Sequence, residues 1–256
     1  MLKPKLWLYF LSLISSAYSF ASIEDYYPYK VLPGASNYGN TGLMETPNAR
    51  FMPEANLRFN FSSSWPNEYT SLTASPFNWM EATYRYVEMK NQVYGPISYS
   101  GNQTFKDKGF DLKVLINDES YFLPALAVGL RDLAGTGLFS SEYFVASKKL
   151  GHLDISLGLG WGDLGRANNI SNPFSSLDER FKDRIGLASQ EGGTFNSSDW
   201  FSGPTSLFGG IEYSLPKRGL KLKLEYDPSY PDGKRESFGS ARPSIEVKSR
   251  INAGIT

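Results

Sequence analysis

The chain reads as all-β, an antiparallel transmembrane (outer-membrane) β-barrel of about ten to twelve strands. Three observations predict this. Short segments alternate apolar and polar residues along most of the chain. From the third segment on, the connections run long, short, long, short. An export leader stands at the front, and after it no run of 18 apolar residues remains for a helical span. In a strand, successive side chains point to opposite sides, so one side here suits hydrocarbon and the other water.

The leader is residues 1–21. Lys3 and Lys5 form a positive start, Leu6–Ile14 a short apolar core, and Ala17-Tyr18-Ser19 or Ser19-Phe20-Ala21 a small-x-small cleavage site. Residues 22–55 hold Pro28, Pro33, Pro47 and Pro53 with Gly34, Gly39 and Gly42 between them, so neither helix nor strand runs far. This irregular segment is expected to be a plug, a periplasmic docking strip or a simple connector. Residues 56–256 form the strand domain.

The first strand is Asn56–Ser64, with Leu57, Phe59 and Phe61 opposite Arg58, Asn60 and Ser62. The second is Tyr69–Ser75, and the Pro76-Phe77-Asn78 turn leads to the third, Glu81–Met89. A polar loop, Lys90–Lys108, separates it from the fourth, Gly109–Asn117. Pro124 marks the turn before the fifth, Ala125–Arg131, whose outward set is Leu126, Val128 and Leu130. The sixth is Glu142–Lys149. The seventh, Leu153–Gly162, reads LDISLGLGWG, with Leu153, Ile155, Leu157, Leu159 and Trp161 on one face. A long loop rich in Asn, Ser, Gly and Asp spans Asp163–Pro204. The eighth strand is Ser206–Leu215. The ninth, Gly219–Asp227, puts Leu220, Leu222, Leu224 and Tyr226 opposite Lys221, Lys223, Glu225 and Asp227. A tenth starts near Ser244 and runs to Thr256 without the closing aromatic residue of a complete set, so the chain is expected to be a truncated product or the front part of a longer protein. Long loops thus follow strands three, five, seven and nine, as in barrels with short periplasmic turns and long outer loops. A soluble β-sandwich has no reason for that asymmetry.

Composition narrows the function. The formal charge is zero, and there is no basic face for a nucleic acid. Removing the leader takes away two lysines and no acid. Cysteine is absent, which excludes disulfides, thiolate metal sites and lipid attachment through a cysteine. With one histidine and no calcium-loop spacing, no metal and no cofactor is expected. His152 lies in a short turn, and a Ser–His hydrolase would need it beside a serine and an orienting acid. No catalytic residue is therefore assigned.

The expected inward set is Arg58, Glu81, Arg85, Asp111, Lys113, Arg131, Asp154, Glu212, Lys221, Lys223 and Glu225. Mixed charges around a lumen either hydrate a pore and meet sugar hydroxyls, or form an internal ion-pair network that fills a narrow barrel. Inward Gly129, Gly158, Gly160 and Gly210 either leave space or let a plug approach. Trp65, Trp79, Trp161, Trp200 and Phe201 fit interface girdles better than sugar-stacking platforms.

Several stretches also resemble a known family. They are Tyr38-Gly39-Asn40-Thr41-Gly42-Leu43-Met44-Glu45-Thr46-Pro47-Asn48-Ala49-Arg50, Gly101–Lys108, Val128–Phe139, Tyr143–Lys148, Leu157–Gly162 and Leu220–Tyr226. In that order they resemble the N-terminal part of the YjbH-type (capsule protein WbfB-like) exopolysaccharide-biosynthesis proteins, over most of residues 36–256. The resemblance implies an outer-membrane protein that helps secrete or assemble exopolysaccharide or capsule. Its partners would be outer-membrane lipid, the polymer and other polysaccharide-export proteins. Two other readings stand beside it: a soluble periplasmic sandwich that binds sugar, and an outer-membrane lipid or glycan hydrolase.

Overall fold

The computed structural model describes residues 33–184, 197–215, 218–229 and 249–256. The leader and the expected start of strand ten near Ser244 lie outside the described residues. The fold is one ten-stranded antiparallel sheet in which each strand pairs with the next in sequence. The strands are β1 (Asn56–Ser64), β2 (Asn67–Phe77), β3 (Met80–Val93), β4 (Thr104–Asn117), β5 (Ala125–Arg131), β6 (Ser141–Leu150), β7 (Leu153–Trp161), β8 (Thr205–Leu215), β9 (Leu220–Tyr226) and β10 (Ile251–Ile255). One short helix, α1 (Ile97–Ser100), sits between β3 and β4.

The expected closed barrel is corrected in one respect. Among the described residues, β1 pairs only with β2 and β10 only with β9, so the sheet has two free edges. The expected Lys90–Lys108 loop is also corrected. β3 runs on to Val93 and β4 begins at Thr104, opposed as Glu88↔Lys106 and Met89↔Phe105. Polar residues hold this extension: Lys90 Nζ lies 3.1 Å from Glu68 and 3.0 Å from Glu88. The apolar alternation stops there while the ladder continues, because opposite charges facing each other across strands are favourable in water.

The two faces differ in the way the alternation predicts. Leu57, Phe59 and Phe61 are 67%, 70% and 64% exposed, whereas Arg85 and Lys113 are 0% and 1% exposed. The apolar face also presents Leu72, Tyr84, Phe110, Leu126, Leu157, Leu207, Leu222 and Leu224. The buried face is mostly polar, with two small apolar clusters. One gathers Ala49, Ala125, Ala127, Tyr143, Val145, Leu164 and Phe208; the other gathers Tyr38, Tyr69, Val87, Met89, Phe105 and Phe139.

Inward glycines make room for rings from the neighbouring strand. A Cβ on Gly158 would fall 2.2 Å from the ring of Phe208, its register partner on β8. Gly129 stands in the same relation to Tyr143 on β6. At Gly210 a Cβ would fall 2.2 Å from the Leu224 carbonyl oxygen of β9 and also 2.8 Å from Leu43 Cδ1 of the N-terminal segment.

Candidate functional site

Residues 33–55 lie along the polar face and bind nearly every strand. At β1, Arg58 Nη2 donates to the Gly39 carbonyl at 2.8 Å, and the Ser62 hydroxyl to the Asn37 carbonyl at 2.9 Å. At β2, the Thr73 hydroxyl donates to the Gly39 carbonyl at 3.0 Å. At β6, the Ser147 hydroxyl accepts from the Ala49 N–H at 2.9 Å. At β9, the Lys223 ammonium donates to the Leu43 carbonyl at 3.0 Å. Gly39 at β1 and Leu43 at β9 are four residues apart and span at most about 14 Å, whereas eight strand spacings of a flat sheet are about 38 Å, so the sheet curls around the segment. Gly254 on β10 confirms the approach, since a Cβ there would meet Met44 Sδ at 2.7 Å.

Irregular backbone has no ladder to satisfy its polar groups, so side chains of the sheet do so. The best-paired example is the β3–β4 pair Glu81 and Lys113, 2.9 Å apart. Glu81 accepts from the Thr41 N–H at 3.1 Å, the Thr41 hydroxyl at 2.5 Å and the Met52 N–H at 2.8 Å. Lys113 donates to the carbonyls of Thr41 at 3.1 Å and Arg50 at 2.5 Å, and lies 4.4 Å from the centre of the Phe51 ring. Both charges are buried, but each meets an opposite charge and further hydrogen bonds, the condition for tolerating them there.

The other predicted inward residues fall into three groups. Arg85 lies 3.4 Å from Asp111 and 3.8 Å from Asp132, between the rings of Tyr38 and Phe139. Arg131 covers the Tyr38 ring at 4.0 Å and donates to the Glu45 carbonyl at 2.9 Å. Asp154 takes a two-pronged bond from Arg50 at 2.9 and 2.7 Å, and Arg50 also reaches Glu119 at 2.6 Å. Near the free edge, Glu212 pairs with Lys221 at 2.9 Å and Lys223 at 3.6 Å. Glu225 accepts from the N–H groups of Met44, Glu45 and Thr46 and from Asn252.

Several partners escape the strand pattern. Glu45, Arg50, Glu119, Asp132 and Asp227 lie outside the strands, and Glu142 lies within β6. Glu142 holds Arg184 through two bonds at 2.7 and 2.9 Å, tying the long β7–β8 loop to the wall. Burial pushes the Glu45 carboxyl up to about 8, helped by the nearby charge of Asp227. Burial likewise lifts Asp227 to about 6 against the hydrogen bonds it accepts from Ser229.

Trp65 and Trp79 are exposed at opposite ends of the apolar face. Trp161, expected in a girdle, is instead fully buried, because Phe174 and Phe201 of the following loop cover its ring at 5.5 and 5.2 Å. His152 is exposed in the β6–β7 turn, against the ring of Tyr213 at 6.2 Å. No group of three or more metal-ligating side chains occurs among the described residues.

Fold and site together define a class of all-β protein whose single antiparallel sheet is apolar outside, charged inside and curled about an N-terminal strap. The chain belongs to the YjbH exopolysaccharide-biosynthesis family: residues 34–256 match the family model described as "Exopolysaccharide biosynthesis protein YbjH". It is 41% identical over 245 residues to "Uncharacterized lipoprotein YjbH" of Escherichia coli (strain K12), a match covering 95% of this chain and 34% of that protein. The chain therefore spans about a third of that relative's length. The resemblance seen in the sequence is thus borne out. The relative is described as a lipoprotein, whereas the 256 residues here contain no cysteine. No solved structure matches.

Proposed function

We propose that the chain forms the wall of a bacterial outer-membrane β-barrel that serves exopolysaccharide or capsule export and surface assembly as a non-catalytic scaffold. It is exported by its leader, its outer face meets lipid, and its partners are the polymer and other export proteins. The observation that carries this reading is the inversion of the two faces. Side chains such as Phe59 and Leu157 stand exposed over a continuous sheet while Arg85, Lys113, Glu81 and Glu225 are buried behind them. A soluble protein rarely leaves so broad an apolar face in water, and a sandwich would bury it against a second sheet. In hydrocarbon the same face is the stable one, and the polar groups turn inward to find partners.

Membership of an exopolysaccharide-biosynthesis family supports the polysaccharide role. The packing of 33–55 against the inner charges favours a filled interior over a wide aqueous passage, and so a scaffold over a conduit.

The test uses the lack of native cysteine. Leu157→Cys and Leu222→Cys, each spin-labelled in the membrane-extracted chain, are expected to collide readily with oxygen and poorly with a nickel chelate. Low access to both reagents, or free access to nickel, overturns the reading, as does recovery of the chain from the soluble periplasm without detergent. A deletion strain is expected to make polymer but display less of it at the surface.

A further inference from the structure

Where the two free edges of the sheet approach each other, a cavity of about 90 Å³ opens beside the strap. Its walls come from both sides of the gap: Tyr38 and Glu45 of the strap, Asn67 and Tyr69 of β2, and Asp227 and Arg250 flanking β9 and β10. Ser249, also in the wall, is exposed, so the cavity communicates with solvent at that rim. Strand parity puts it at the end of the sheet that carries the long connections after β3, β5, β7 and β9.

The lining has a definite chemistry. The rings of Tyr38 and Tyr69 lie 5.2 Å apart, tilted by 52°, and give apolar surface with polar edges. Asn67 Nδ2 donates to the Tyr69 hydroxyl at 3.0 Å, while its Oδ1, on a residue 4% exposed, has no hydrogen-bond partner among the described residues. A buried acceptor left unpaired costs free energy that a ligand donor recovers. Carboxyl groups from Glu45 and Asp227 and the guanidinium of Arg250 complete a wall of donors and acceptors of both kinds. The volume is smaller than the roughly 150 Å³ that encloses a benzene ring, so the cavity seats one edge of a sugar ring, with the rest of the ring in solvent at the Ser249 rim, and leaves no room for an extended chain.

We propose that this cavity is a subsite for a single neutral sugar residue, held between the two edges of the sheet and the strap. The inference rests on the polysaccharide role proposed above and adds the place of contact. The neutral preference follows from the charges. At pH 7 the Glu45 carboxyl, pushed up to about 8, is mostly protonated, and Asp227 and Arg250 bring one charge of each sign to the wall. The ligand then needs hydroxyls, not a carboxylate, to match the wall.

Saturation-transfer NMR on the full chain in detergent micelles tests it, with methyl α-glucoside, methyl α-galactoside, N-acetylglucosamine and glucuronate as probes. Transfer to at least one neutral probe is expected, falling at least tenfold in Ser249→Trp, which fills the cavity from an exposed rim position and leaves the buried wall intact. Asn67→Ala, which removes the unpaired acceptor, is expected to weaken the same signal. The inference is overturned by no transfer to any neutral probe, by unchanged transfer in Ser249→Trp, or by a preference for glucuronate. Failure of the membrane reading is read separately, from the labels at Leu157 and Leu222.

Discussion

Glu225 Oε2 accepts both the backbone N–H of Thr46, at 3.3 Å, and its hydroxyl, at 2.9 Å. The same carboxylate takes the N–H of Met44 at 3.0 Å and of Glu45 at 2.8 Å. One anion on β9 thus satisfies three successive amides of a turn that has no ladder of its own. Glu225→Gln replaces one of its two oxygens by an NH2 group that faces donors. The expected loss is about 2–3 kcal/mol of stability, read as a lower denaturation midpoint, together with earlier proteolysis within 33–55. An unchanged midpoint would show that the strap is only loosely held.

Gly158→Val places a side chain where the Phe208 ring now sits, so the ring or a strand must move. The expected cost is about 1–3 kcal/mol. Phe208→Leu in the same chain is expected to return part of it, which a double-mutant cycle measures. Additive losses would show that the two positions do not share the space.

The stability of the chain is expected to fall as pH rises. Glu45 binds its proton more tightly when folded, at about 8 against an ordinary 4.5, so the stabilisation is complete below about 4.5 and is lost as pH climbs to about 8. Asp227 acts in the same sense between about 3.8 and about 6. Unfolding midpoints measured from pH 4 to 9 check this. Glu45→Gln, which keeps an acceptor for the Asn37 amide, is expected to flatten the upper part of the curve, and Asp227→Asn the lower part. A wild-type midpoint that rises with pH would sink the assignment.

Leu222→Arg discriminates the surroundings of the outer face. At the middle of a bilayer it costs about 2–4 kcal/mol, seen as reduced insertion and a lower midpoint in lipid. In water the exposed position would make it nearly neutral. Equal stability of the variant and the parent in lipid vesicles would fit only the aqueous setting.

The alternation was legible because it is dictated by two environments on either side of one ribbon. It located β1 and β5 at their observed limits and assigned the buried side of Glu81, Arg85, Asp111, Lys113 and Glu225. It ended early at β3 because Lys90, Asn91 and Gln92 carry no apolar face, although the ladder runs on. Trp161 misled because parity gives the side of a residue and not what a distant loop lays over it. The partners of the inner charges were hidden for a simpler reason. Glu45, Arg50 and Asp227 sit in irregular chain, where no period relates one residue to the next, and only the curling of the sheet brings them to their sites.

The strap is made first and completed last. Its bonds to Glu225 join residues 179–181 positions apart, so they cannot form until β9 has been made. Contacts this distant in sequence carry a large closure entropy and form slowly. The strap's bonds to β1, β2 and β3 span at most 40 residues, so the stretch is expected to settle on the first strands early and to gain its far anchor late. Until β9 clasps it, the far half of the strap stays open to attack, so a protease added during refolding is expected to cut there before it cuts the strands.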